Sequence, residues 1–148
     1  MKKIIKLFIF LLIILCLACQ YLVYKKKIVD KYYLIATDTK SDMSVSYDLG
    51  DGSFIGIVNG GVYAIGNNSN FIIIKQYHLN RKENAINTQI IYYYIIPINP
   101  SISKFKVEEN IVGPLDEINF NIQREKLDVP QDLIFKTYIK ENMPLQLQ

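Results

Sequence analysis

The sequence has no tryptophan, one histidine and two cysteines in 148 residues. Both cysteines, Cys16 and Cys19, lie in an apolar run near the N-terminus, so the rest of the chain has no thiol nucleophile and no internal disulfide. A domain of ordinary size is stable without disulfides when its hydrophobic core is large enough. His78 has neither a second histidine nor a nearby cysteine, which excludes a multi-histidine or Cys-His metal site.

Positive charge is concentrated at the N-terminus. Lys2, Lys3 and Lys6 precede the apolar run, and removing these three from the 17 basic residues leaves 14, equal to the 14 acidic residues. A domain with no net charge has no electrostatic attraction to phosphate backbones, on which nucleic-acid affinity depends. The composition therefore predicts no nucleic-acid partner.

The N-terminal segment has the layout of a secretory signal. A lysine cluster is followed by an unbroken apolar stretch from Leu7 to Ala18 and then by Cys19. The residues before Cys19 resemble the bacterial lipoprotein signal, in which a small residue precedes the lipid-bearing cysteine. That resemblance implies a signal peptide over 1–18, lipid attachment at Cys19 and a tether over 19–31.

A single membrane-spanning helix over 7–24 is the alternative. Its 18 residues would extend about 27 Å at ~1.5 Å per residue, close to the thickness of a bilayer core. Either anchor places the domain on the extracytoplasmic side of the cell envelope, because the lysine cluster stays in the cytoplasm. A redox role for the Cys-x-x-Cys spacing is disfavoured, since both thiols lie among leucines and isoleucines that raise a thiol pKa.

The rest of the chain predicts a single domain over 32–140, mainly β in the α+β class. Short β-prone runs alternate with turns, which favours an antiparallel meander arranged as a sandwich or partial barrel. Asn59-Gly60-Gly61 predicts a two-residue hairpin turn, and the polar stretch Leu79 to Asn87 predicts an exposed loop. One helix is predicted over about 115–127, opened by Gly113-Pro114 and capped by Asp116, followed by a loose tail over 141–148.

Three segments of this domain resemble a group of short bacterial lipoproteins of unknown function. They are FIIIKQ, IYYYII and VGPLDEINFNIQREKLDVP, within residues 71–133. The resemblance implies an envelope location and a β-rich fold with one helix. It implies no activity and no functional residue.

The motifs that carry common chemistries fail on spacing. The glycines from Gly50 to Gly56 are one residue too widely spaced for a dinucleotide fingerprint, and a β-prone run follows them. The carboxylates between Asp38 and Asp51 do not match the ligand positions of a calcium loop. We therefore expect no cofactor, no metal and no catalytic motif.

Three consecutive tyrosines are the most distinctive feature of the longest apolar run. Alternation along a strand places Tyr93 on one side and Tyr92 and Tyr94 on the other. Tyr93 is expected in the core, while Tyr92 and Tyr94 either pack at its margin or form an interaction surface for a glycan or protein partner.

Three functional hypotheses follow. The first is a noncatalytic binding or structural module of the envelope. The second is an immunity or inhibitor-type protein at the membrane. The third is a small envelope hydrolase using carboxylates or His78.

Overall fold

The computed structural model describes residues 24–80, 85–101 and 106–139. Within these ranges the chain forms nine strands and one α-helix. The strands are β1 (Tyr24–Val29), β2 (Tyr32–Ala36), β3 (Ser44–Asp48), β4 (Phe54–Val58), β5 (Val62–Asn67), β6 (Phe71–Asn80), β7 (Ala85–Pro97), β8 (Val112–Leu115) and β9 (Lys136–Thr137), and the helix is α1 (Glu117–Lys126).

The strands form two separate antiparallel sheets. The first has the order β1-β2-β3-β4 and the second the order β8-β7-β6-β5-β9. Fully buried aliphatic residues from both sheets, such as Leu34, Val45, Ile72 and Ile74, share one core. The predicted mainly β, α+β fold is confirmed, and the two sheets pack face to face as a sandwich.

A second, smaller core lies on the opposite face of the second sheet. Ile73, Tyr93 and Ile95 alternate along β6 and β7 with the residues of the main core, and they pack against Phe120 of α1. The molecule is therefore layered as first sheet, second sheet and helix. Tyr93 lies in a core as expected, with 6% of its surface exposed.

The hairpin predicted at Asn59-Gly60-Gly61 is wrong. β4 and β5 belong to different sheets, so this segment crosses from one sheet to the other. Its backbone is satisfied from both sides: the Gly61 N–H donates to the Ser41 carbonyl (3.1 Å) and the Gly61 carbonyl accepts from the Tyr77 N–H (3.0 Å). A glycine is required at position 61, because its φ is +89° and a Cβ atom there would lie 2.9 Å from the backbone carbonyl oxygen of Tyr77.

Residues 24–29, placed in the tether by sequence, form β1 and pair with β2. The edge position of β1 tolerates its three consecutive lysines because one side of an edge strand faces solvent. Tyr24, Ile28 and Val29 are partly buried against the main core, which holds the strand in place. Residues 1–23 and 140–148 lie outside the described residues, and with them the predicted signal peptide, Cys19 and the tail. Of the alternative anchor over 7–24, only Tyr24 is described, and it is the first residue of β1 and not part of a helix.

Two further boundaries differ from expectation. The loop predicted at Leu79 to Asn87 is strand at both ends, since β6 continues to Asn80 and β7 begins at Ala85, and residues 81–84 lie outside the described residues. Gly113-Pro114 belongs to β8 and does not open the helix. Asp116 caps α1 as predicted: its carboxylate accepts a hydrogen bond from the Asn119 N–H at 2.8 Å.

Candidate functional site

A groove of about 290 Å³ is bordered by the second sheet and the crossover between the sheets. It is lined by Gln76, His78 and Leu79 of β6, Tyr92 and Tyr94 of β7, Asn59 of the crossover and Pro114 of β8. We call this the tyrosine groove.

Strand register explains why these side chains meet. Gln76 lies opposite Tyr92 and Ile74 lies opposite Tyr94, so all four project from the same face of the β6–β7 pair. Ile74 is fully buried in the main core, Gln76 is 7% exposed and His78 is half-buried. Burial therefore decreases along β6, and the groove continues the core face out to solvent.

Gln76 fixes the floor of the groove. Its side-chain Nε2 donates to the carbonyls of Asn59 (2.8 Å) and Gly60 (2.9 Å), while its Oε1 accepts from the Tyr94 hydroxyl at 2.7 Å. Both amide hydrogens are thus committed, and the amide cannot turn without losing bonds. Gln76 ties the sheet crossover to Tyr94 and holds the ring of Tyr94 in one position.

The Tyr94 hydroxyl is a stable donor at neutral pH. Burial, followed by the nearby Tyr92 hydroxyl, raises the pKa of Tyr94 above its ordinary value of 10.0. The phenol therefore keeps its proton and its hydrogen bond to Gln76 throughout the physiological range.

Tyr92 and His78 form the outer wall. Their rings meet edge to face, with centroids 5.6 Å apart and an interplanar angle of 73°. His78 also lines a second groove of about 440 Å³, which runs along β6 and β7 past Asn80, Asn87 and Gln89. His78 therefore joins two adjacent grooves into one surface.

The predicted interaction residues Tyr92 and Tyr94 are brought together with His78. Sequence reasoning did not assign Gln76 or Asn59 to a functional site. The signal that would have found Gln76 is a polar residue soon after the apolar stretch FIII. Cys19, the predicted lipid site, lies outside the described residues.

The groove is lined by aromatic rings, amides and apolar side chains. Among its lining residues in the described part of the chain, none carries a carboxylate, and His78 faces a tyrosine ring. No group of three or more His, Cys, Asp or Glu side chains in residues 24–80, 85–101 and 106–139 is arranged to hold a metal ion. The surface offers aromatic faces, amides and a hydroxyl to a ligand.

Together these features define a mainly β domain of two sheets, covered by one helix in the described part of the chain, with a groove lined by aromatic rings and amides. A family model described as "Protein of unknown function (DUF3997)" matches residues 24–141, which is more than half of the chain. The chain belongs to this family. No curated protein and no solved structure matches it.

The family match begins at Tyr24, the first residue of β1, and covers the whole described fold. The predicted resemblance to a family of unknown function agrees with this finding. In the described part of the chain, no helix is both long and apolar enough to cross a bilayer.

Proposed function

We propose that this protein is a membrane-anchored envelope lipoprotein whose β domain is a noncatalytic binding module on the extracytoplasmic side. The lysine cluster, the apolar stretch and Cys19 support the anchor. The family match starts at Tyr24, the first residue of β1, and so leaves the predicted anchor outside the matched domain. The lipid on Cys19, or a spanning helix that ends before Tyr24, is the membrane partner in this proposal.

The tyrosine groove supports the binding role. The observation that carries it is the Gln76 amide, which bonds the Tyr94 hydroxyl at 2.7 Å and two crossover carbonyls at the same time. A surface fixed in advance loses little conformational entropy when it binds a ligand. Sites of this kind combine aromatic walls with a few placed polar groups.

The ligand class best suited to this surface is a neutral glycan. A sugar ring has C–H groups on its faces and hydroxyls around its edge. The ring of Tyr92 suits the C–H face of a sugar, and the amides of Asn59, Asn87 and Gln89 suit hydrogen bonds to its hydroxyls. Because His78 joins two grooves, a chain of several sugar units matches the surface better than a single sugar.

The test is a titration of the full-length protein in detergent with neutral oligosaccharides, namely β-linked N-acetylglucosamine oligomers and hexose oligomers, followed by calorimetry. Tyr92→Ala is expected to weaken binding about fivefold, since an aromatic contact contributes about 1 kcal/mol. Tyr138→Ala, which removes a half-buried tyrosine outside the groove, should bind like the natural protein.

Equal binding by Tyr92→Ala and the natural protein would show that the tyrosine groove is not the sugar-binding site. Binding of none of these sugars, together with capture of an envelope protein that Tyr92→Ala abolishes, would favour the immunity or inhibitor alternative. Turnover of an oligosaccharide would favour the hydrolase alternative.

A further inference from the structure

We propose that the outer face of the first sheet rests on an anionic lipid surface. The face consists of Lys25, Lys27, Tyr33 and Phe54 and is called here the basic aromatic face. This inference depends on the proposed membrane anchor and is independent of what the tyrosine groove binds.

The four side chains form one patch. Lys27 lies opposite Tyr33 in register, and Lys25 projects to the same side two residues earlier. The Lys25 ammonium lies 4.3 Å from the centre of the Phe54 ring and 5.2 Å from that of Tyr33. The two rings are themselves 5.2 Å apart, edge to face.

The patch faces away from the protein core. Tyr32 and Leu34, the neighbours of Tyr33 in β2, are almost fully buried in the main core, so Tyr33 projects to the opposite side. Lys25 and Lys27 are exposed, and the rings of Tyr33 and Phe54 are half-buried. In the described chain, α1 covers the second sheet on the far side of the molecule.

The anchor brings this face close to the membrane. Five residue steps separate Cys19 from Tyr24, which limits their separation to about 18 Å even in a fully extended chain. If the anchor is instead a spanning helix, it ends no later than residue 23, directly before β1. In both cases the lysines of β1 lie next to the lipid headgroups.

The chemistry of the face suits anionic lipid. Lysine ammoniums near an anionic membrane each favour the bound state by a factor of about five, and tyrosine and other aromatic rings prefer the headgroup region. Asp48 of β3 pairs with Phe54, and its carboxylate accepts a hydrogen bond from the Gly50 N–H at 2.8 Å, so the negative charge lies on β3 while the two lysines lie on the edge strand β1. Charge complementarity therefore assigns the lysine end of the face to the membrane.

The test measures how close each side of the full-length protein lies to reconstituted vesicles. A fluorescent label is placed by Ser53→Cys, beside the face, or by Asn121→Cys, on the exposed helix, and the unsubstituted chain supplies the labelling blank. Vesicles of phosphatidylcholine, with or without phosphatidylglycerol, carry a quencher on a lipid headgroup. We expect strong quenching at position 53 only in the anionic vesicles, weakened by salt, and weak quenching at position 121 in both.

Lys25→Gln with Lys27→Gln should lower the ratio of docked to undocked protein about 25-fold, the product of two five-fold effects. Lys126→Gln, an exposed lysine at the end of α1, is the matched control and should change nothing.

Equal quenching at positions 53 and 121, or quenching that does not depend on lipid charge, would overturn the docking proposal alone. A chain that does not float with the vesicles at all would overturn both docking and the anchor. The groove titration with soluble sugars is separate from either result.

Discussion

At the scale of single residues, Gln76 is the side chain that joins the parts of the tyrosine groove to one another. It is a buried polar side chain between the two sheets, and its three hydrogen bonds join the crossover to Tyr94. A buried amide with every bond satisfied stabilises one arrangement, whereas a partner left unpaired in the same place is costly.

Replacing Gln76 by leucine should therefore destabilise the fold. The change leaves the Asn59 and Gly60 carbonyls and the Tyr94 hydroxyl without their partner, at a cost of about 1–3 kcal/mol in the free energy of unfolding. Urea denaturation measures this. Gln89→Leu, at an exposed position of β7, is the control and should stay within about 0.5 kcal/mol.

A double-mutant cycle that combines Gln76→Leu with Tyr94→Phe tests the hydrogen bond between these two side chains directly. The two changes should be non-additive, because they remove the same hydrogen bond. Additive effects would show that the bond between Gln76 and Tyr94 contributes nothing measurable to stability.

At the scale of elements, α1 is held by its cap and by one buried ring. Asp116 accepts from the Asn119 backbone and side chain at 2.8 and 2.9 Å, and Phe120 contacts Tyr93 with ring centroids 4.9 Å apart. Ile118 and Ile122 are exposed, at 74% and 54%. The helix thus covers the second sheet mainly through Phe120.

Removing the cap should weaken this helix measurably. Asp116→Ala is expected to lower the free energy of unfolding by about 1 kcal/mol, because it leaves an N–H of the first turn unpaired. Asp116→Asn keeps an acceptor at that position and should restore most of the loss. Thermal unfolding compares the two, and equal losses would mean that the charge of Asp116, and not its cap bond, stabilises the helix.

At the scale of the whole molecule, the proposed location depends on the N-terminal segment. We expect the mature chain in the membrane fraction to begin at Cys19 with added acyl mass, measured by mass spectrometry of its N-terminal peptide. Cys19→Ala should prevent both the added mass and the cleavage. An intact peptide containing Met1 would show instead an uncleaved chain, as expected for a spanning helix that ends before β1.

Much of the fold could be predicted because strand and turn chemistry is local. The β-rich runs, the cap at Asp116 and the burial of Tyr93 depend on alternation and on side chains that bond their own backbone. The role of Asn59-Gly60-Gly61 could not be predicted in this way. A glycine turn looks the same in sequence whether its strands pair with each other or separate into two sheets, since the difference lies in distant partners such as Ser41 and Tyr77.

The amino-acid sequence by itself determined the class of fold, the neutral charge of the domain and the alternation that separates Tyr93 from Tyr92 and Tyr94. These properties depend on residue type and short spacing alone. Tertiary structure decided that β1 is a strand, that Gln76 locks Tyr94 to the crossover and that His78 joins two grooves. The groove contacts join His78 to Tyr92, 14 positions apart, and Gln76 to Tyr94, 18 positions apart, and the register of β6 on β7 brings these pairs together.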